Sequence, residues 1–262
     1  PVETSAEDSF DFSGLRDQLY NSLTEPQQEV YDAPERFKLV CAGRRYGKTY
    51  LSITRLINWA IDKPGSLNWF VTANYRMAKQ ICWRQLKLLV PDEVCTKRNE
   101  SDLSMEFVNG SVIALRGSES PDSLRGVSLS SLVVDEAAYV KREAWEMVLR
   151  PALSDQAGPA WFITTPSGLN WFYDLWKAAE EEPDWVNFSY TTIEGGNVSA
   201  EEIEAARKML DDRTFRQEYE ASFESLSNRV YPEFFIERNE SDLTGFTTDD
   251  LIWVGLDFNV ER

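Results

Sequence analysis

Near the start of this chain, between an apolar run and a helical pattern, sits the stretch Ala42-Gly43-Arg44-Arg45-Tyr46-Gly47-Lys48-Thr49, and it limits the possible folds more than any other feature. Phe37-Lys38-Leu39-Val40-Cys41 before it has the β-branched and aromatic character of a buried strand, and Leu51 to Ile57 behind it has helical spacing. Strand, glycine loop and helix in that order bring consecutive backbone N–H groups and a helix N-terminus to one spot, which suits the β- and γ-phosphates of a nucleotide. Gly43, Arg44, Arg45 and Gly47 would shape that cradle, with Lys48 as a point charge and the Thr49 hydroxyl offered to Mg²⁺. The match to G-x-x-x-x-G-K-[ST] is imperfect, because Ala42 replaces the first glycine and Gly43 follows it. For the loop alone, a glycine turn that happens to carry Lys and Thr remains the alternative.

A second stretch removes most of that ambiguity. Leu129-Ser130-Ser131-Leu132-Val133-Val134 runs into Asp135-Glu136, and an apolar strand ending in two carboxylates is costly unless these meet cations or water at its end. At a nucleotide site both roles exist: Asp135 would hold Mg²⁺ opposite Thr49, and Glu136 would orient and polarise the water that attacks the γ-phosphate. Upstream, Thr24 is placed to cap a helix opening with Glu25 and Pro26. The amide of Gln27, or of Gln28 if the register is shifted by one, can donate to and accept from the adenine edge at once. Downstream, Trp161-Phe162-Ile163-Thr164-Thr165-Pro166 ends a further strand, where small hydroxyls can bond to the carboxylate and to the following segment.

Between these, Ser66 to Ala73 reads as a strand and Tyr75 to Leu89 as a helix, an alternation that predicts a parallel sheet covered by helices on both faces. Asn109-Gly110, between Leu103 to Val108 and Ser111 to Leu115, predicts a type I′ hairpin at the sheet edge. Ser199-Ala200-Glu201-Glu202 opens a helix continuing through Leu210 as a capping box would. The 262 residues suffice for one large α/β domain with a small appendage.

Charge and composition exclude other classes. With 27 basic and 44 acidic residues the net charge is −17, which opposes long-range attraction to DNA or an anionic membrane, so any nucleic-acid contact must be local. No histidine is present, which excludes imidazole-based metal sites and acyl-transfer triads, and Cys41, Cys82 and Cys95 lack metal-ligand spacing. No apolar run is long enough to cross a bilayer and the acidic N-terminus is unlike a signal peptide, so a soluble protein of a reducing compartment is expected.

Read together, these residues resemble the large terminase subunit of tailed bacteriophages, the ATPase that drives genome packaging. The likeness is carried by A-G-R-R-Y-G-K-T, by L-R-G followed by L-V-V-D-E-A-A, by I-T-T-P-S-G-L-N-W-F-Y-D-L-W, and by R-Q-E-Y-E-A-S-F with W-V-G-L-D-F-N near the end, about Leu23 to Asn259. It implies an α/β fold: a three-layer P-loop NTPase of the additional-strand, catalytic-glutamate type, with a small helical lid. It also implies an N-terminal arm over 1–22, the ATPase core over 23–190, lid and linker over 191–248, and at 249–262 the first strand of a ribonuclease-H-like nuclease. Asp257 would be one metal carboxylate of that nuclease; the others are absent from this chain, so an excised ATPase region is expected.

Carried over residue by residue, the resemblance makes Glu136 the hydrolytic base, Arg44 a cis arginine sensing the γ-phosphate, and Arg125 an arginine reaching into a neighbouring subunit's site. Thr164, Thr165 and Pro166 become the coupling motif, and the lid is either a mechanical lever or a helical appendage. ATP and Mg²⁺ are the implied cofactors. Double-stranded DNA, the portal protein, the small terminase subunit and further copies in a ring, with a monomer in isolation, are the implied partners. The implied setting is the cytoplasm of the infected bacterium, transiently on the procapsid portal. Lys97-Arg98 and Lys141-Arg142 are candidate DNA contacts. Two other functions compete: a superfamily-2-like helicase, which needs a second RecA-like unit that nothing after Thr165 suggests, and a catalytically silent nucleotide switch, which the Asp135-Glu136 pair disfavours.

Overall fold

The computed structural model of the chain describes residues 10–224. The expected nuclease strand with Asp257, the linker end of the expected lid and the first nine residues of the arm lie outside the described residues.

Helices α1 (Ser13–Asn21) and α2 (Glu25–Asp32) precede β1 (Phe37–Ala42), α3 (Lys48–Asp62) and β2 (Leu67–Thr72). A continuous helical run follows, made of α4 (Tyr75–Met77), a π-helical segment (Ala78–Trp83) and α5 (Arg84–Leu89). Next come β3 (Cys95–Asn99), β4 (Ser104–Phe107), β5 (Val112–Gly117) and β6 (Ser131–Asp135). Short helices α6 (Arg142–Ala144) and α7 (Arg150–Ala152) flank a second π segment, and β7 (Ala160–Thr164), α8 (Trp171–Ala179), β8 (Trp185–Tyr190), α9 (Ala200–Met209) and α10 (Asp212–Tyr219) complete the described part.

The eight strands form one sheet in the order β3-β4-β5-β2-β6-β7-β1-β8. Every pairing from β5 to β8 is parallel; only β3–β4 and β4–β5 are antiparallel. Each residue of β1, β6 and β7 is buried, as a parallel strand covered on both faces must be. Alternation along β1 divides the core into two layers. Val40 and Ala42 face a cluster with Leu51, Ile57 and Trp83, whereas Phe37, Leu39 and Cys41 face one with Trp145, Leu149 and Phe172. A fully buried side chain such as Leu39, 0% exposed, contributes about 1.5–3 kcal/mol. Leu15 and Leu19 of α1 join the first layer, so this part of the arm packs on the core, and Arg16 pairs with Asp62 at the end of α3.

Two expectations change. The Asn109-Gly110 turn is not type I′, which needs two left-handed residues; only Gly110 has positive φ, +76°. Asn109 instead uses its side-chain amide to hold the α3 C-terminus, donating to the carbonyls of Ala60 and Ile61 at 2.9 and 3.2 Å. Nor is the hairpin itself the sheet edge. β5 pairs inward with β2, and β3, a polar strand with no apolar alternation to announce it, is the outermost strand.

Candidate nucleotide site

The carboxyl ends of β1, β6 and β7 meet at one place, because β7 is inserted between the other two. That insertion separates the glycine loop from Asp135 by one strand.

Arg45 and Gly47 adopt left-handed φ of 66° and 100°, which turns the loop from β1 into α3. The first-turn N–H groups of a helix have no intrahelical acceptor, and among the described residues the N–H groups of Arg45 and Gly47 bond to nothing either. Those donors are available to phosphate oxygens. The N–H groups of Gly43 and Arg44 are not: they donate to Tyr190 O at 2.9 Å and Glu218 O at 2.7 Å. Lys48, 8% exposed, folds back onto the loop, its Nζ donating to Ala42 O at 2.6 Å, Gly43 O at 3.1 Å and Thr165 Oγ1 at 3.0 Å. Burial lowers its pKa, opposed by the charges of Glu136 and Asp135.

Across the gap, Thr49 Oγ1 donates to Asp135 Oδ2 at 3.3 Å, and the Glu136 N–H donates to Asp135 Oδ1 at 2.9 Å. Cys82 Sγ lies 4.0 Å from the same Oδ2. With only neutral hydrogen-bond donors around it, Asp135 has its pKa pushed up to about 7, first by burial and then by the Glu136 charge. A buried carboxylate left in this state fits a divalent cation. The Asp135 carboxylate and the Thr49 hydroxyl are oxygen ligands of the kind a hard divalent cation takes, one or two from the protein with phosphate and water completing the shell. Thr49 and Asp135 are the residues that would hold it. Glu136 has φ of 50°, a conformation that costs a non-glycine residue free energy and clusters at active sites. It meets Thr164 Oγ1 at 3.4 Å. The Ala138 N–H donates to that same hydroxyl at 3.4 Å. Thr164 therefore touches the carboxylate, Thr165 touches Lys48, and Pro166 is buried beside them.

Of the two glutamines, Gln27 belongs to the loop. It is 3% exposed, accepts from Thr24 N at 3.1 Å and donates to Tyr46 O at 3.0 Å. Gln28 turns away, its amide reaching Tyr20 O at 3.4 Å. Arg125 is apart from all of these, half exposed and paired with Asp122 at 2.8 Å.

The spacing of motifs did not reveal how the segment after β8 is fastened to the loop. Thr192 Oγ1 donates to Arg44 O at 2.8 Å, Asn197 Nδ2 to Arg45 O at 3.1 Å, and Thr192 N to Tyr219 O at 2.8 Å. Arg44 pairs through its guanidinium with the Glu218 carboxylate, which raises the arginine pKa. Tyr46 stacks on Tyr190 at 5.1 Å, and Tyr190 donates to Glu29 of α2 at 2.8 Å. The R-Q-E-Y run at 216–219 was the one available signal, since it contains Glu218 and Tyr219, but nothing local says what either touches. Ser199 caps α9 as expected, accepting from Glu202 N at 3.3 Å.

A glycine loop feeding α3, an Asp-Glu pair one strand away and a parallel sheet between two helical layers define a P-loop NTPase fold of the additional-strand, catalytic-glutamate type. The family model described as terminase large subunit, T4likevirus-type, N-terminal matches residues 39–238, and the chain belongs to that family. The large terminase subunit of Escherichia phage T5 is 32% identical over 241 residues, 88% of this chain and 53% of that protein. That of Thermus phage G20c is 28% identical over 239 residues, 78% of this chain and 49% of the other. The chain thus spans about half the length of the curated relatives it matches. The large terminase ATPase domain of Thermus phage P74-26 superposes with a TM-score of 0.69 at 23% identity, covering 79% of this chain and 97% of that one. The large terminase of a thermophilic bacteriophage, solved in complex with ATP-γ-S, has a TM-score of 0.64 at 16% identity over 77% of this chain and 53% of its own. At such identities the superpositions establish the fold.

Proposed function

We propose that this chain is the ATP-hydrolysing motor of a phage terminase, moving double-stranded DNA into the procapsid through the portal. The observation that carries the reading is the facing of Thr49 and Asp135 across the loop, 3.3 Å apart, with Glu136 next in the chain and Lys48 at the loop. Lys48 would leave the Ala42 and Gly43 carbonyls for the phosphates, Thr49 and Asp135 would hold Mg²⁺, and Gln27 would border the base. Bound Mg²⁺ supplies charge neutralisation at the phosphates. Glu136 accepts a proton from the attacking water, steadied by the Thr164 hydroxyl, while Thr165 loses its Lys48 partner when phosphate binds. That exchange links nucleotide state to Thr164-Thr165-Pro166. A relative solved with ATP-γ-S supports the choice of nucleotide.

Duplex DNA, the portal, the small terminase subunit and neighbouring copies are the partners of this reading, Arg125 being the arginine offered to the adjacent copy. Its setting is the cytoplasm of the infected bacterium and, during packaging, the portal. In the same reading residues 23–190 are the motor core, 191–248 the lid and linker, and 249–262 with Asp257 the beginning of the nuclease. ATP turnover is the test. Glu136→Gln should bind ATP within about threefold of wild type and lose turnover by at least about 10²-fold, the usual weight of general-base catalysis. Equal turnover in the two proteins would remove Glu136 as the base.

A further inference from the structure

Of the basic pairs singled out in the sequence, Lys97, Arg98 and Arg142 have carboxylate partners in the fold, and Lys141 is exposed with none among the described residues. Lys97 lies 3.7 Å from Glu106, Arg98 pairs with Asp92 and donates to Val90 O, and Arg142 pairs with Glu146 at 2.7 Å. A different surface keeps its charge. The helical run over residues 75–89 contains Arg76, Lys79, Arg84 and Lys87 and no acidic residue, in a chain with 27 basic against 44 acidic. Arg76, Lys79, Gln80 and Arg84 are exposed, and among the described residues none of the three cations makes an ion pair. Lys87 differs, sharing Glu100 with the Trp83 indole at 2.8 and 2.7 Å. The Glu100 carboxyl is held below its ordinary range first by Lys87 and Trp83, with the Lys79 charge adding to it. Burial of Cys82, Trp83 and Leu86 on the opposite side fixes the cations outward.

The buried side of the same run reaches the nucleotide site, because Cys82 in the π-helical segment is the residue whose Sγ lies 4.0 Å from Asp135 Oδ2. π segments recur at functional sites, where the backbone holds one extra residue per turn. We infer that the face formed by Arg76, Lys79, Gln80 and Arg84 contacts the phosphodiester backbone of duplex DNA; this rests on the packaging-motor reading. Charge complementarity selects the occupant. A chain of net charge −17 repels a polyanion everywhere except where unpaired cations gather, and Arg and Lys contacts to phosphate carry no sequence preference, as a motor that packages any sequence requires.

The experiment measures binding of the whole chain to an arbitrary duplex of about 40 base pairs by fluorescence anisotropy between about 50 and 200 mM KCl, the salt range over which phosphate neutralisation is most visible. The triple substitution Arg76→Glu, Lys79→Glu, Arg84→Glu should weaken binding at least tenfold and flatten the dependence of log affinity on log salt by about 2–3, near 0.9 for each phosphate that is no longer neutralised. Lys97→Glu with Arg98→Glu should change affinity less than twofold. Because the three side chains are exposed, the thermal midpoint of the triple variant should match wild type, which separates weakened binding from a damaged fold. Wild-type affinity and salt slope in the triple variant would overturn the surface, as would a wild-type chain that binds no duplex. Neither measurement involves ATP turnover, so this surface and the assignment of Glu136 fail separately.

Discussion

Arg44 and Glu218 are joined twice: the Arg44 backbone N–H donates to the Glu218 carbonyl at 2.7 Å, and the Arg44 guanidinium pairs with the Glu218 carboxylate. One contact fixes the α10 C-terminus to the glycine loop, and the other occupies the side chain that the γ-phosphate would need. On the reading that Arg44 senses the γ-phosphate, a carboxylate and a phosphate compete for one cation. Since the Arg44 side chain is 67% exposed, solvent screens the pair to about 0–1 kcal/mol. Glu218→Gln should then tighten ATP binding by no more than about fivefold, measured by fluorescent-nucleotide titration, while Arg44→Ala should slow turnover in both backgrounds. If Glu218→Gln weakens ATP binding severalfold, the two groups do not compete.

Gly43 should tolerate no side chain. A Cβ there would lie 2.6 Å from Tyr219 O and 2.7 Å from Thr192 N, both backbone atoms of the segment that grips the loop. Overpacking of this kind costs about 1–3 kcal/mol, so Gly43→Ala should lower the thermal midpoint by roughly 2–10 °C in a chain of this size and weaken nucleotide binding with it. An unchanged midpoint would mean that residues 191–219 are held far more loosely than their hydrogen bonds imply.

The folded-state pKa of Asp135, about 7, exceeds its ordinary value of 3.8. Its contribution to stability is therefore fully present below the unfolded value and is lost as pH rises through about 7. Nucleotide-free protein without divalent ions should lose stability toward Asp135→Asn between about pH 4 and 8, and Mg²⁺ with nucleotide should restore it at about pH 8. Parallel pH profiles for wild type and Asp135→Asn would show that burial there is relieved by water.

Arg125 is exposed and its only ion pair among the described residues is with Asp122, three residues earlier, so no contact among those residues brings it to the site. Mixed Arg125→Ala and Glu136→Ala subunits, gathered on a portal or DNA, should hydrolyse ATP faster than the sum of the two measured apart. An arginine supplied in trans can raise turnover about 10³–10⁵-fold. Absence of complementation, with wild type still stimulated by assembly, would leave Arg125 as a loop charge.

What the chain's own order of residues determined is local. The strand, loop and helix around Lys48, the carboxylate pair ending β6, the hydroxyls ending β7 and the cap at Ser199 each depend on neighbours within a few positions, so periodicity and turn chemistry were enough to read them. Their grouping into a family signature was legible for the same reason. Tertiary structure decided the rest, because contacts between residues more than a hundred positions apart leave no local trace. Only the fold selects Gln27 over Gln28 for the loop, since one face of α2 points there. Only the fold places β7 between β1 and β6, adds β8 beside β1 and fastens Glu218 to Arg44. Charge divides differently: the carboxylate partners of Lys97, Arg98 and Arg142 lie within nine positions of them in the chain, and the fold decides that they are in reach, whereas Arg76, Lys79 and Arg84, without ion pairs among the described residues, face outward because the helix that carries them buries its other face.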